Sequence, residues 1–166
     1  MSQQAQSLNA KETLMATAVP NRTVVSTRSA GAVADRDDAA RLLLRVVLGV
    51  LILLHGIAKL KGGPDYIVGT VVKAGLPAVF GYFVYVGEVL APLLLIAGLW
   101  TRAAALVVAI NMVVAVLLVH MPQLFTLSKT GGWALELQGM YFFAAVAVAL
   151  LGAGRYGVGG AGGKWN

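Results

Sequence analysis

AARLLLRVVLGVLILLHGIAKL, residues 39–60, is the stretch whose reading decides the fold. It is as long as the roughly 20 apolar residues that carry an α-helix across a hydrocarbon core of about 30 Å. A segment in hydrocarbon must satisfy its own backbone hydrogen bonds, and this one lacks the polar and apolar alternation of a barrel strand, so it is a helix. Runs of the same kind recur at residues 78–99, 103–120 and 133–151. The chain is therefore read as all-α, a polytopic membrane four-helix bundle. Composition agrees: 58% of residues are hydrophobic, against about 45–50% in soluble domains, and the mean hydropathy is +0.80.

Working outward, residues 1–38 are rich in Ser, Thr, Ala and Gln, with no apolar core of a signal peptide. They are read as a disordered cytoplasmic tail. Their Arg and Ser content also suits a transit peptide, but the first apolar run suffices for membrane targeting. Asp35, Asp37 and Asp38 stand where carboxylates would meet free amides at the start of helix one. Gly62, Gly63 and Pro64 end that helix, and Tyr66, Ile67, Val71 and Val72 are spaced for a short interfacial helix over 65–73, before Gly75 and Pro77 break it. The transmembrane domain covers 39–152, and 153–166 is a Gly-rich C-terminal tail. Only Trp100, Thr101 and Arg102 separate the second and third spans, which makes them antiparallel neighbours.

Lys and Arg sort by side. Lys11, Arg22, Arg28, Arg36, Arg41, Arg45, Arg102, Arg155 and Lys164 fall with the termini, and Lys59, Lys61, Lys73 and Lys129 fall opposite. This bias puts both termini in the cytoplasm, with Trp100 and Trp133 as anchors at the two boundaries. The net charge of +6 is thus topological. Its carriers form no basic stripe, so nucleic acid is not a partner, whereas the lipid bilayer is. Cysteine is absent, which excludes disulfides, thiolate catalysis, iron–sulfur clusters and covalently attached c-type haem.

Charged groups inside a span cost at least about 2.5–3.5 kcal/mol and need a reason to be there. On helix one, Arg41, Arg45, His55 and Lys59 share a stripe about 80° wide at about 100° per residue, which should face protein. Glu88 falls roughly 15 Å along helix two, near mid-membrane. His120 ends helix three, and Glu136 lies one turn into helix four. Together His55, Lys59, Glu88, His120 and Glu136 suit one polar pocket in the outer half of the bundle. A structural reading stands beside this: Lys59 pairs with Glu88 and the network only fixes helix register. Arg45 and Arg102 are read as reaching lipid head groups at the inner boundary. A haem between His55 and His120, or a metal held by both with Glu88 and Glu136, is a weaker reading, since the Glu-x-x-His signature of di-iron bundles is missing; no metal is assigned.

These residues carry a family resemblance. Arg45, Val46, Val47, Leu48 and Gly49, followed by His55, Gly56, Lys59 and Leu60, resemble the first-helix signature of the DoxX family of small bacterial membrane proteins. Gly87 and Glu88 with Pro92, Leu95, Gly98, Leu99, Thr101 and Arg102 resemble its second-helix pattern; His120 with Gly131 and Gly132 its third; Glu136 with Gly152, Gly154, Arg155 and Tyr156 its fourth. The likeness covers about residues 40–157. The family's closing Asp is missing from the Gly-rich ending, so no role is carried over for it. The resemblance implies an inner-membrane subunit of a redox system, and the pocket supplies a rationale: a quinone needs hydrogen-bond donors and a proton path at a membrane boundary. In that reading His55 and Lys59 donate to the carbonyl, His120 completes the site, and Glu88 and Glu136 relay protons. Two other classes stay open: a non-catalytic membrane anchor that recruits a soluble oxidoreductase, and a small-solute or lipid transporter. The oligomeric state is not legible.

Overall fold

The computed structural model describes residues 22–160 and 162–166. The chain forms two compact units, residues 1–36 and 37–166, and the second holds the bundle. The elements are α1 (Arg22–Gly62), α2 (Asp65–Lys73), α3 (Ala78–Ala97), α4 (Thr101–Gln123) and α5 (Glu136–Leu151). Among the described residues there is no strand. The Gly31–Gly62 part of α1, with α3 and α4, is long and apolar enough to cross a membrane, and α5 is a shorter apolar helix. The all-α membrane bundle expected from the sequence is the observed architecture.

Boundaries differ in three places. Helix α1 begins at Arg22 rather than at residue 39, so residues 22–38 are helical where a tail was expected; residues 1–21 lie outside the described residues. No proline interrupts the chain between Pro20 and Pro64, and Ala30, Ala32, Ala34, Ala39 and Ala40 favour helix. Asp38 is consequently not a cap: its carboxylate accepts from Arg155, from Nε at 3.2 Å and the backbone N–H at 3.3 Å. At the other end, 153–166 is not a loose tail. The N–H groups of Val158 and Gly159 donate to the carbonyls of Ala97 and Gly98 at the close of α3, and the Thr101 hydroxyl donates to Asn166 Oδ1 at 3.3 Å.

Small residues set the packing. Along α1, Arg45, Leu48, Gly49, Ile52 and Gly56 are buried at steps of three or four, while Leu43, Val47, Val50 and Leu54 on the other side are exposed. A Cβ on Gly49 would lie 2.8 Å from Ile96 Cγ1, and one on Gly56 only 2.1 Å from the Glu88 carbonyl oxygen. Glycine here admits the backbone of α3, as small residues do between helices in lipid. Ala104, Ala105, Ala109 and Ala145 do the same between α4 and α5, within a core completed by Leu48, Ile52, Leu95, Val108 and Val148. Leu106, Leu117, Phe143 and Leu150 stay exposed, as a lipid-facing surface requires.

Candidate functional site

Helices α3 and α4 each widen into a π-turn, at Val86–Leu90 and Val116–His120. The cause is in the sequence. Glu88 stands four residues before Pro92, and Leu118 four before Pro122. A proline has no N–H to give the carbonyl four residues back and its ring crowds that carbonyl, so the helix opens there. The two turns carry Glu88 and His120.

Glu88 is only 3% exposed. Its Oε1 pairs with the Lys59 ammonium and accepts from Asn111 Nδ2 at 3.3 Å. Its Oε2 is buried without a protein partner. Gly56 and Gly87 make this placement feasible: Gly56 lies under the Glu88 carbonyl, and a Cβ on Gly87 would come within 2.5 Å of Asn111 Cγ. The Tyr85 hydroxyl donates to the Lys59 carbonyl at 3.4 Å, which ties the end of α1 to α3.

Two cavities meet at this pair. The larger, about 730 Å³, lies among α2, α3 and α4 and is walled by apolar side chains such as Leu76, Phe80, Val84, Ile110, Val114 and Leu118, with Lys59, Glu88, Asn111 and His120 as its polar edge. The smaller, about 140 Å³, is lined by His55, Lys59, Glu88, His120, Gln138 and Tyr141 among others. Four of the five residues assigned to one pocket therefore come together. Glu136 does not: it is exposed in the first turn of α5, its carboxylate against Gly132, and it borders neither cavity. Gln138 occupies the place given to it. Two residues along a helix is about 200° of rotation, so Glu136 and Gln138 face nearly opposite ways.

The histidines are held differently. His120 Nδ1 is 2.9 Å from Gln123 Oε1 and its Nε2 is 3.4 Å from Gln138 Nε2, whereas His55 packs edge-on against Tyr141, with ring centroids 5.9 Å apart. Asn111, Gln138 and Tyr141 carry no formal charge, so the cost of burying a charge does not single them out in the sequence. Asn111 had a signal, as the one amide in the apolar run of α4, where an unpaired side chain is costly.

The two arginines sit at the far end of the bundle, and Arg45 makes a different contact from the one expected of it. Arg45 is 1% exposed. Its Nη1 donates to the carbonyls of Leu95 and Ile96, both at 2.7 Å, and its Nη2 to that of Tyr156 at 2.8 Å. Gly98, at φ 71°, gives it room, since a Cβ there would lie 2.9 Å from Arg45 Cζ. The last carbonyls of α3 have no partner within their own helix, and a buried guanidinium supplies it. Arg102 Nε donates to the Asn166 carbonyl at 3.2 Å. Arg45 is thus spent on the chain itself instead of on head groups, while Arg102 is half-buried and tied to the C-terminal segment through Nε.

Comparison with known proteins matches residues 40–121 to the DoxX family. The match takes in α1 from its residue 40 through His120, hence Arg45, His55, Lys59, Glu88 and Asn111; α5 and the C-terminal segment lie beyond it. No curated protein and no solved structure matches the chain.

Proposed function

Because residues 40–121 form a DoxX domain, we propose that this membrane protein is a subunit of a redox system and that its bundle binds a lipophilic carrier of the quinone class. The observation that supports this is the position of the Lys59–Glu88 pair, on the wall shared by a polar cavity and a large apolar one. A site of this build offers charge and hydrogen bonds to a ring and hydrocarbon to its chain. About 730 Å³ falls within the roughly 300–1,000 Å³ usual for ligand sites. Bound there, a quinone would supply reversible two-electron, two-proton chemistry. Lys59 orients a carbonyl oxygen by its ammonium, the imidazole of His55 supplies a further donor, His120 borders the site with its ring held between Gln123 and Gln138, and Glu88 holds a proton-accepting oxygen away from bulk water. Glu136 has no part in this site. We place the protein in a bacterial inner membrane with both termini in the cytoplasm, on the Lys and Arg bias of the sequence, and assign the electron donor to an oxidoreductase partner.

Organic extraction of the purified protein, followed by chromatography, tests the reading. Co-purifying quinone in stoichiometric amount is expected, with binding of a decyl-substituted quinone weakened about tenfold by Lys59→Met, the loss of one charge-assisted hydrogen bond. A protein that extracts clean and binds no added quinone would leave the bundle as an anchor.

A further inference from the structure

Building on the carrier reading above, we propose that the site prefers its ligand in a hydroxyl-bearing form: an uncharged head whose O–H donates to Glu88 Oε2, carried on an apolar chain that fills the cavity beside α2.

The chemistry is fixed by which atoms are already engaged. An ionised carboxylate only accepts hydrogen bonds. Glu88 Oε1 has two donors, Lys59 Nζ and Asn111 Nδ2, and Oε2 has none from the protein although it is buried. Nearby donors are committed elsewhere: the Tyr85 hydroxyl to the Lys59 carbonyl, the Thr70 hydroxyl to the Tyr66 carbonyl, and the His120 ring between Gln123 and Gln138. A buried acceptor left unmet is costly, so a ligand that brings a donor gains over an isosteric one that does not. The oxidised quinone presents only acceptors and sets lone pairs against Oε2, whereas the hydroquinone presents an O–H. An anionic phosphate head is disfavoured, because Lys59, the cation bordering both cavities, is already paired with Glu88.

Full-length protein in phosphatidylcholine nanodiscs, titrated anaerobically, provides the test. The probes are a decyl-substituted hydroquinone, the matching quinone and the hydroquinone dimethyl ether, with monoolein as a non-redox hydroxyl lipid. The hydroquinone is expected to bind about tenfold more tightly than either the quinone or the ether. In Glu88→Gln the amide nitrogen takes the place of Oε2 and becomes a donor, so the preference should vanish or turn toward the quinone. Monoolein matching the hydroquinone would keep the hydroxyl recognition and make a glyceride the source. Equal binding of hydroquinone, quinone and ether by the native protein overturns the preference while the carrier reading stands. So does a preference that survives Glu88→Gln. Binding of none of them overturns both. Val114→Trp, placed in the apolar wall, should weaken all the probes together and leave their ratio unchanged; a changed ratio would separate the chain from the cavity beside α2.

Discussion

The two ends of the bundle treat a buried charge in opposite ways. At one, the two Nη groups of Arg45 are taken up by three backbone carbonyls from α3 and the C-terminal segment, Gly98 gives up its side chain to let it in, and its Nε, though without a partner, borders neither cavity. At the other, Glu88 is buried as deeply, yet one of its oxygens has no protein partner and two cavities open beside it. Burial alone therefore does not mark a functional group. A charge gripped by the chain's own carbonyls away from either cavity is a clamp, and one with an unpartnered oxygen next to space of ligand size is a site.

The sharpest way to break this contrast is at the clamp. Arg45→Met takes a donor from three carbonyls; that of Leu95 keeps the Gly98 N–H, and those of Ile96 and Tyr156 are left unmet, at about 1–3 kcal/mol each where buried. A loss of about 3 kcal/mol or more is expected in chemical unfolding of the detergent-solubilised protein, with Arg45→Lys restoring only part of it because an ammonium lacks the fork that spans the separate acceptors. A loss below about 1 kcal/mol would remove the clamp from the comparison.

Packing comes next. Gly56→Val puts side-chain atoms into the Glu88 carbonyl, and a cost of about 1–3 kcal/mol is expected from overpacking. Carrier binding should fall with it, since α3 must move and carry Glu88 along. Stability lost with binding intact would separate the α1–α3 approach from the site.

The functional end is sharpened by a cycle. Lys59→Met alone leaves the Glu88 carboxylate without its cation and should destabilise by about 2 kcal/mol, less than the roughly 3–5 kcal/mol of a fully enclosed pair because Lys59 is partly exposed. Adding Glu88→Leu should recover most of that stability, because two apolar side chains replace a pair that is costly to desolvate. Carrier binding should not recover. Recovery of both would make the pair structural glue, the other reading that the sequence allowed.

The smallest effect is expected at Asn111. Asn111→Leu removes one neutral-to-charged hydrogen bond, and about 1 kcal/mol or a few-fold in carrier affinity should follow. No change in either would show that Glu88 is held by Lys59 alone.

The site residues show how far sequence reading reaches. Lys59 and Glu88 could be paired on paper, since each is too expensive in hydrocarbon to stand alone. Arg45 and Glu136 could not be placed. For Arg45, nothing in its own neighbourhood reveals that the carbonyls of Leu95, Ile96 and Tyr156, from 50 to 111 residues away, converge on it. For Glu136, nothing in its own segment says which face of α5 turns toward the cavities, and Gln138, about 200° around the helix, takes that face. The proline signals at Pro92 and Pro122 were legible but unread, and they mark the two turns that hold Glu88 and His120.

By itself the sequence determined that the chain is a helical membrane bundle and that its buried charges need partners, because hydrophobic length and desolvation cost are properties of each segment alone. Only the tertiary structure decided which charge is gripped by distant backbone carbonyls and which stands beside a cavity. That depends on where glycines let backbones approach and where prolines widen a turn, and on which carbonyls end up within reach of a side chain, none of which any one segment specifies.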